Sequence, residues 1–381
     1  MLQIDHIYEF LYQELFKDFE FSYLSNGVPS LDLDNISVFT RKQDPNIKIF
    51  FYDQEPFIYQ LSDPYMKLFD DDQKTKILVT SEYSKDLPNN VSSLYYFFHG
   101  FAALDWYRGY HALNYTKLIV KPYNYDFISF NRIINNDRSY RIYFISLLKE
   151  QGLLEKGLVS FNVTDNLFDD WQDETSNPQS KLSEQAKQHA EQHLVNIGKL
   201  IIDYPELPGS ASADIPRSVD SYIPPEFHKP TDVDAFWHIV TETVFYYDKL
   251  HLTEKIFKPI VSKQPFMLLA APGNLAYLKS YGFKTFDSVL DESYDLIQDP
   301  DLRARAVVDQ LHWYCNLTLG EKTDVIKQLE PIIDYNFHHF YGEFRHIIAR
   351  ELLDNTKTVF KDIGYDDSHI NYTNIYHVLT Y

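Results

Sequence analysis

Three consecutive residues, Thr253, Glu254 and Lys255, stand where the hydropathy pattern predicts the first turn of a helix. Thr is a preferred N-cap residue, and a helix N-terminus attracts anions through its unpaired N–H groups and its dipole. Lys255 adds a full positive charge at this point. The tripeptide therefore predicts a site for a diphosphate group, although the same residues could simply cap an ordinary surface helix.

The elements around this tripeptide favour the binding site. Residues 237–273 read as strand, loop, short helix and strand, with Glu242 leaving the first strand. The apolar run 265–271 is short enough for a buried parallel strand, and Gly273 at the following turn could offer backbone donors. Because α/β sheets bind ligands outside the carboxyl ends of their strands, a charged turn between two such strands favours ligand binding over capping alone.

Two arginines could add positive charge to the same site. Arg132 follows a strand predicted over 125–130, which would open the same sheet, so it would face the same crevice unless it is an exposed turn residue. Arg141 lies on a helix predicted over 140–149, and the face that carries it could equally be solvated.

Candidate acid–base residues come earlier in the chain. Asp53 and Glu55 follow the apolar run 47–52, and His99 follows the run 94–98. A carboxylate or an imidazole at a strand end is a suitable general base, but a strand-end acid is as often a helix N-cap. We rank Asp53 before Glu55 and Glu55 before His99.

The length and the pattern of apolar runs predict an α/β protein with two Rossmann-like domains. A chain of 381 residues suggests two domains. Short apolar runs separated by polar turns predict a first domain over 1–121 and a second over 122–350. The polar segment 164–227 is interpreted as a surface insertion with one helix over 180–201. Two long helices are expected to end near residue 349, and the tail 351–381 to return to the first domain.

Composition excludes several classes of protein. A net charge of −20 argues against a protein that holds nucleic acid mainly by charge neutralisation. Because no run of about 18 apolar residues occurs and the N-terminal segment lacks a basic region, we expect neither a membrane span nor a signal peptide. The single cysteine, Cys315, excludes an internal disulfide and fits a cytoplasmic setting. His338 and His339 are adjacent and would point to different helix faces, so we expect no metal site and no cofactor.

The segments around Glu242 and Lys255 resemble the nucleotide-sugar site of GT-B glycosyltransferases, and most closely the α1,3-fucosyltransferase family. The matching residues are Thr241-Glu242-Thr243 and Leu252-Thr253-Glu254-Lys255. The order of motifs over 122–310, about half of the chain, also looks like a group of glycosyltransferases from tailed phages and bacterial sugar-polymer clusters.

This resemblance implies a metal-independent transferase that moves a sugar from a UDP or GDP donor to a hydroxyl acceptor, either a saccharide or a hydroxymethylated base in phage DNA. It implies that Glu254 holds the ribose and that Glu242 touches the sugar or the neighbouring phosphate loop. The alternative is a catalytically degenerate protein of the same fold that binds nucleotide or glycan without turnover.

Overall fold

The computed structural model describes residues 7, 10–16, 19–23, 37–41, 47–52, 75–81, 91–107, 123–131, 133–161, 171–197, 200 and 235–371. Within these ranges the chain forms β-strands β1 Phe19–Tyr23, β2 Ser37–Arg41, β3 Ile47–Tyr52, β4 Thr75–Thr80, β5 Val91–Tyr95, β6 Tyr125–Ser129, β7 Gly157–Val159, β8 Ala235–Thr241 and β9 Phe266–Leu269. It forms helices α1 Phe98–Trp106, α2 Tyr140–Glu150, α3 Trp171–Ser176, α4 Glu184–His193, α5 Glu254–Val261, α6 Asn274–Ser280, α7 Pro300–Cys315, α8 Leu319–His339 and α9 Arg345–Asp362.

The chain divides into two compact units. The five-strand unit combines Gln3–Trp106 with Gly342–Tyr381, and the four-strand unit comprises Met1–Leu2 and Tyr107–Tyr341. Both units contain parallel strands and helices, so the predicted α/β class is confirmed. Parallel strands with intervening helices are compatible with a Rossmann-like fold.

The five-strand unit has the strand order β1-β2-β3-β4-β5. Strands β3, β4 and β5 are parallel, as their short apolar runs predict. Strands β1 and β2 were not predicted, and they extend the sheet in the antiparallel direction. Helix α9 packs on β5 and α1, and Asn355 donates a hydrogen bond from Nδ2 to the Tyr95 carbonyl at 2.9 Å. The last described helix of the chain is therefore part of this unit's core.

His99 lies in a helix and not at the end of a strand. Strand β5 ends at Tyr95, and α1 begins at Phe98. The run from Phe97 to Ala103 is buried along its whole length, and a helix that is apolar on every side has no 3.6-residue period to distinguish it from a buried strand. The expected strand-end position of His99 was wrong for that reason.

The four-strand unit has the order β7-β6-β8-β9, and all its strands are parallel. Helix α2 follows β6 and leads to β7 on one side, whereas α5 follows β8 and leads to β9 on the other side. The crossovers therefore leave the adjacent strands β6 and β8 in opposite directions. This arrangement is a topological switch point, which is where open α/β sheets form a ligand crevice.

The described part of the expected surface insertion packs against the core. Helix α4 starts after Ser183, whose Oγ accepts a hydrogen bond from the Ala186 N–H at 2.9 Å. Ala186 and Ala190 are fully buried, and α4 packs on α2. The packing of α4 on α2 was not predicted because the segment is polar in composition and only one narrow face of α4 is apolar.

Three helices, and not two, close the described chain. Helix α8 begins with a capping box formed by Thr318 and Glu321, and α9 continues to Asp362, beyond the expected end near residue 349. Cys315 at the end of α7 is buried, and burial raises the pKa of its thiol to about 12. Among the helices described, none combines the length and the apolar character needed to cross a membrane.

Candidate functional site

A recess lies at the switch point of the four-strand unit. It is bordered by the carboxyl ends of β6 and β8 and by the first turns of α5. Its lining residues are Tyr107, Phe130, His238, Ile239, Val240, Thr241, Glu254, Lys255 and Lys258. Glu254 and Lys255, which were predicted from the sequence, thus meet at the position where an α/β sheet binds ligands.

The start of α5 is fixed by a buried carboxylate. Glu242 is fully buried, and it accepts hydrogen bonds from the Thr253 N–H at 3.1 Å and the Thr253 hydroxyl at 2.5 Å. Thr253 is the N-cap of α5, as predicted, and its Oγ1 accepts from the Lys255 N–H at 3.4 Å. Glu242 therefore positions the N-cap, and its side chain is not exposed to a ligand in the recess.

Lys255 extends from this N-cap toward the recess. Its Nζ lies 3.2 Å from Glu254 Oε1, 3.2 Å from Thr253 Oγ1 and 3.4 Å from Thr243 Oγ1. The side chains of Lys255 and Glu254 are 27% and 19% exposed, so a ligand in the recess can reach both. An ammonium and a carboxylate side by side could bind a phosphate and a hydroxyl of one ligand.

Lys258 adds a second positive charge about one turn further along α5. Its Nζ lies 4.1 Å from the centre of the Phe130 ring, which places the ammonium over an aromatic face at the end of β6. Because residues three apart share a helix face, Lys255 and Lys258 both border the recess. A dianionic or trianionic group would meet two cations here.

His238 forms part of the recess wall beneath these lysines. The side chain is buried, and its Nδ1 has no hydrogen-bond partner among the described residues. Burial, reinforced by the nearby charge of Lys258, lowers the pKa of His238 to about 3. The imidazole is therefore neutral near pH 7, and its ring lies edge-on to Phe130 at 5.3 Å.

The strand ends below the recess are held by side-chain hydrogen bonds. Arg141 is buried and donates to the carbonyls of Ile133 at 2.9 Å and Thr241 at 2.7 Å. Tyr140 donates to the Glu242 carbonyl at 2.5 Å. Arg141 thus has a structural position at the end of β8, and the solvated helix face considered from the sequence is not observed.

Gly273, at the turn after β9, is occupied by contacts within the protein. It has a φ of +83°, a conformation that favours glycine, and its N–H donates to the Asp295 carbonyl at 2.8 Å. The Asp295 carboxylate accepts hydrogen bonds from the N–H groups of Leu275 at 3.1 Å and Ala276 at 3.4 Å. The first turn of α6 therefore already has an internal anion.

Three of the predicted site residues, Asp53, Glu55 and Arg132, lie outside the described residues. His99 is buried in α1 of the five-strand unit. Sequence analysis missed Lys258 and His238 as recess residues. The spacing of Lys258 from Lys255 could have identified the first, whereas nothing in the sequence distinguishes His238 from other apolar-strand histidines.

Comparisons with protein-family models, with curated proteins and with solved structures give no match to this chain. Support for a function therefore comes from the geometry of the recess.

Proposed function

We propose that the protein is a glycosyltransferase of the GT-B type that binds a nucleoside diphosphate sugar in the recess at the switch point and transfers the sugar to a hydroxyl group. The observation that carries the proposal is the ion pair of Lys255 and Glu254 at the start of α5, with Lys258 one turn further along, beside the carboxyl ends of two adjacent parallel strands.

The charges of the recess suit a nucleoside diphosphate. The leaving group of a glycosyl transfer gains negative charge on the diphosphate, and cations fixed before the reaction stabilise that charge. Lys255 and Lys258 take this role, supported by the dipole of α5. Glu254 holds ribose hydroxyls, because a carboxylate accepts two hydrogen bonds from a diol. Phe130 and Tyr107 offer aromatic surface for the base or the sugar ring.

Glu242 has a different role in this proposal from the one that the family resemblance implied. Its carboxylate oxygens are used by Thr253 and Thr243, so Glu242 is a positioning residue for the N-cap of α5. Arg141 likewise acts through the backbone of β8. Lys255 and Lys258 on α5 stabilise the negative charge of the leaving diphosphate without a metal ion.

The acceptor is a hydroxyl group of a saccharide or of a hydroxymethylated base in phage DNA. Asp53 and Glu55 remain the predicted general bases. The amide variants Asp53→Asn and Glu55→Gln distinguish them. Only the variant that loses the base should lower turnover by about 10²- to 10⁴-fold, the factor that general-base catalysis supplies.

A thermal-unfolding screen with UDP, GDP, their common sugar conjugates and inorganic pyrophosphate tests the donor site. One nucleoside diphosphate should raise Tm, because a ligand at a hundred times its Kd adds about 2.7 kcal/mol to the stability of the folded state. Stabilisation by pyrophosphate as large as by any nucleotide would contradict the proposal, since the recess would then recognise only an anion.

The second candidate function is a binding protein without turnover. The burial of Glu242 favours it slightly, because a carboxylate that the family resemblance assigns to the donor is used here for structure. A donor-hydrolysis assay with the stabilising nucleotide sugar separates the two candidates. Slow release of free sugar supports the transferase, and saturable binding without hydrolysis or transfer supports the binding protein.

A further inference from the structure

Two histidines of α4 and one carboxylate of α2 converge at the far end of α2 from the recess. His189 and His193 are one turn apart on α4, and their rings lie 4.4 Å apart. Glu150 is the last residue of α2. One ligand atom from each of the three residues lies within 4.8 Å of the others. The expectation of no metal site did not take this His-x-x-x-His spacing into account, and the third residue comes from a separate helix.

Hydrogen bonding around His189 fixes which ring nitrogen carries the proton. Ser146 donates its hydroxyl hydrogen to the Tyr143 carbonyl at 2.7 Å, so it has no second hydrogen to give. Its oxygen lies 2.8 Å from His189 Nδ1 and must accept from an Nδ1–H group. The neutral ring then turns the lone pair of Nε2 toward Glu150. In metal sites, a hydrogen bond from the other ring nitrogen orients a histidine ligand in the same way.

With the proton on Nδ1, no hydrogen bond joins His189 Nε2 to Glu150. Nε2 lies 3.2 Å from Glu150 Oε2, but Nε2 is buried and has no hydrogen bond of acceptable direction among the described residues. In this tautomer two electron-pair donors face each other, and a cation between them would remove the repulsion.

The separation of His189 Nε2 and Glu150 Oε2 fits two ligands of one zinc ion, and the ligand atom of His193 lies within 4.8 Å of both. Ligand atoms about 2.0–2.2 Å from a tetrahedral zinc ion lie roughly 3.3–3.6 Å apart, close to the 3.2 Å separation of Nε2 and Oε2. Two imidazoles and one carboxylate favour zinc over magnesium or calcium, which prefer oxygen ligands. Arg305 approaches the same Glu150 oxygen at 3.3 Å, and because this ion pair is about one-third exposed, its loss costs little.

We propose that Glu150, His189 and His193 form a zinc-binding site that joins α4 to α2, with water completing the coordination. The site is independent of the proposed glycosyl transfer. Helix α2 has 11 residues and is roughly 16 Å long, and its opposite end, at Tyr140, holds the backbone below the recess. The metal therefore stabilises the packing of α4 and takes no part in chemistry at the recess.

Calorimetric titration of the full chain with zinc chloride tests the site, after removal of metal with EDTA and without a histidine tag. We expect one zinc ion per chain with micromolar or tighter affinity, a higher Tm with zinc, and no effect of magnesium chloride. Cobalt(II) should bind in its place and show the visible absorption of a low-coordinate ion. Absence of stoichiometric zinc binding overturns the proposal.

Three variants separate a built site from an adventitious ion only. His193→Ala and Glu150→Gln change partly exposed residues, so both should fold, and each should weaken zinc binding at least about tenfold. His338→Ala removes an exposed helical histidine outside the cluster and should leave the affinity unchanged. Equal affinity in wild type, His193→Ala and Glu150→Gln would show that zinc binds surface groups elsewhere, and would overturn the assignment.

Discussion

Helices α5 and α6 begin after neighbouring parallel strands of the same sheet, yet different charged groups lie beside them. At α6 the carboxylate of Asp295 accepts hydrogen bonds from the N–H groups of Leu275 and Ala276. At α5 the ammonium groups of Lys255 and Lys258 border a recess. Both helices thus receive an internal carboxylate, Asp295 at α6 and Glu242 at the N-cap of α5, but of these two helices α5 also presents lysines to a recess, where they favour an external anion.

Within the first turn of α5, the residues that fix the structure differ from those that can contact a ligand. Glu242 and Thr253 are buried and bonded to each other, whereas Lys255 and Glu254 are partly exposed. A helix N-terminus is therefore not a ligand site by itself. It becomes one when its capping groups are satisfied inside the protein and its charged side chains remain at the surface.

The largest effect is expected at the α6 turn. Asp295→Ala leaves the Leu275 and Ala276 N–H groups without their charged acceptor, and hydrogen bonds to charged groups contribute about 1.5–3 kcal/mol each. Burial raises the pKa of Asp295, which opposes part of this gain, so we expect unfolding in urea to show a loss of roughly 3 kcal/mol.

Asp287→Ala is the matched control for this variant. Asp287 is exposed and pairs with Lys279 at 3.5 Å, so its loss should change stability by less than about 1 kcal/mol. Nucleotide binding should be unaffected in both variants. If Asp295→Ala unfolds at the same urea concentration as wild type, the carboxylate is not the anion that α6 requires.

The next effect concerns binding at the α5 turn. Lys255→Ala should weaken binding of the nucleoside diphosphate that raises Tm, by about 1.5–3 kcal/mol or roughly ten- to a hundredfold in Kd. The reason is the loss of a charge-assisted contact to phosphate. Lys258→Ala should act in the same direction. Isothermal titration measures both, and Tm of the free protein should change little because both side chains border the recess.

Lys279→Ala is the control on the other helix. Lys279 lies in the last turn of α6 and pairs with Glu292 at 3.0 Å, outside the recess. Its replacement should leave nucleotide affinity unchanged. Equal nucleotide affinity in Lys255→Ala, Lys258→Ala and wild type would show that the lysines of α5 do not bind the donor. The first turns of α5 and α6 would then both have only a structural role.

Local signals predicted the α5 turn well. Thr253 was identified as the N-cap and residues 265–271 as a buried strand, and the structure has Thr253 as the cap and β9 over Phe266–Leu269. Each signal depends on residues that are close together in the chain. The α/β class followed from the same kind of local evidence.

Long-range contacts could not be predicted from the sequence. Asp295 caps a helix that begins about twenty residues earlier, at Asn274, and Glu150 approaches His189 from another helix. Neither Asp295 nor Glu150 has a residue type or spacing that indicates its contact with the other element. The helical state of His99 was missed because residues 97–103 are all buried, which removes the periodicity on which a helix prediction depends.

The smallest effect is a dependence of stability on pH from His238, which lies beneath Lys258. Folding lowers the pKa of His238 from 6.5 to about 3, so the unfolded chain binds more protons between these values. Stability from this group is therefore complete above about pH 6.5 and falls by up to about 1.4 kcal/mol for each pH unit below it. His238→Gln keeps a polar group at the same position but cannot titrate.

In urea unfolding at pH 7.5, 6.5 and 5.5, wild type should lose more stability than His238→Gln between pH 6.5 and 5.5. The control His338→Gln, which changes an exposed histidine, should follow wild type. Identical pH profiles for wild type and His238→Gln would mean that the imidazole is not held neutral under the lysines. The recess would then lack the desolvated wall that strengthens the binding of an anion to Lys255 and Lys258.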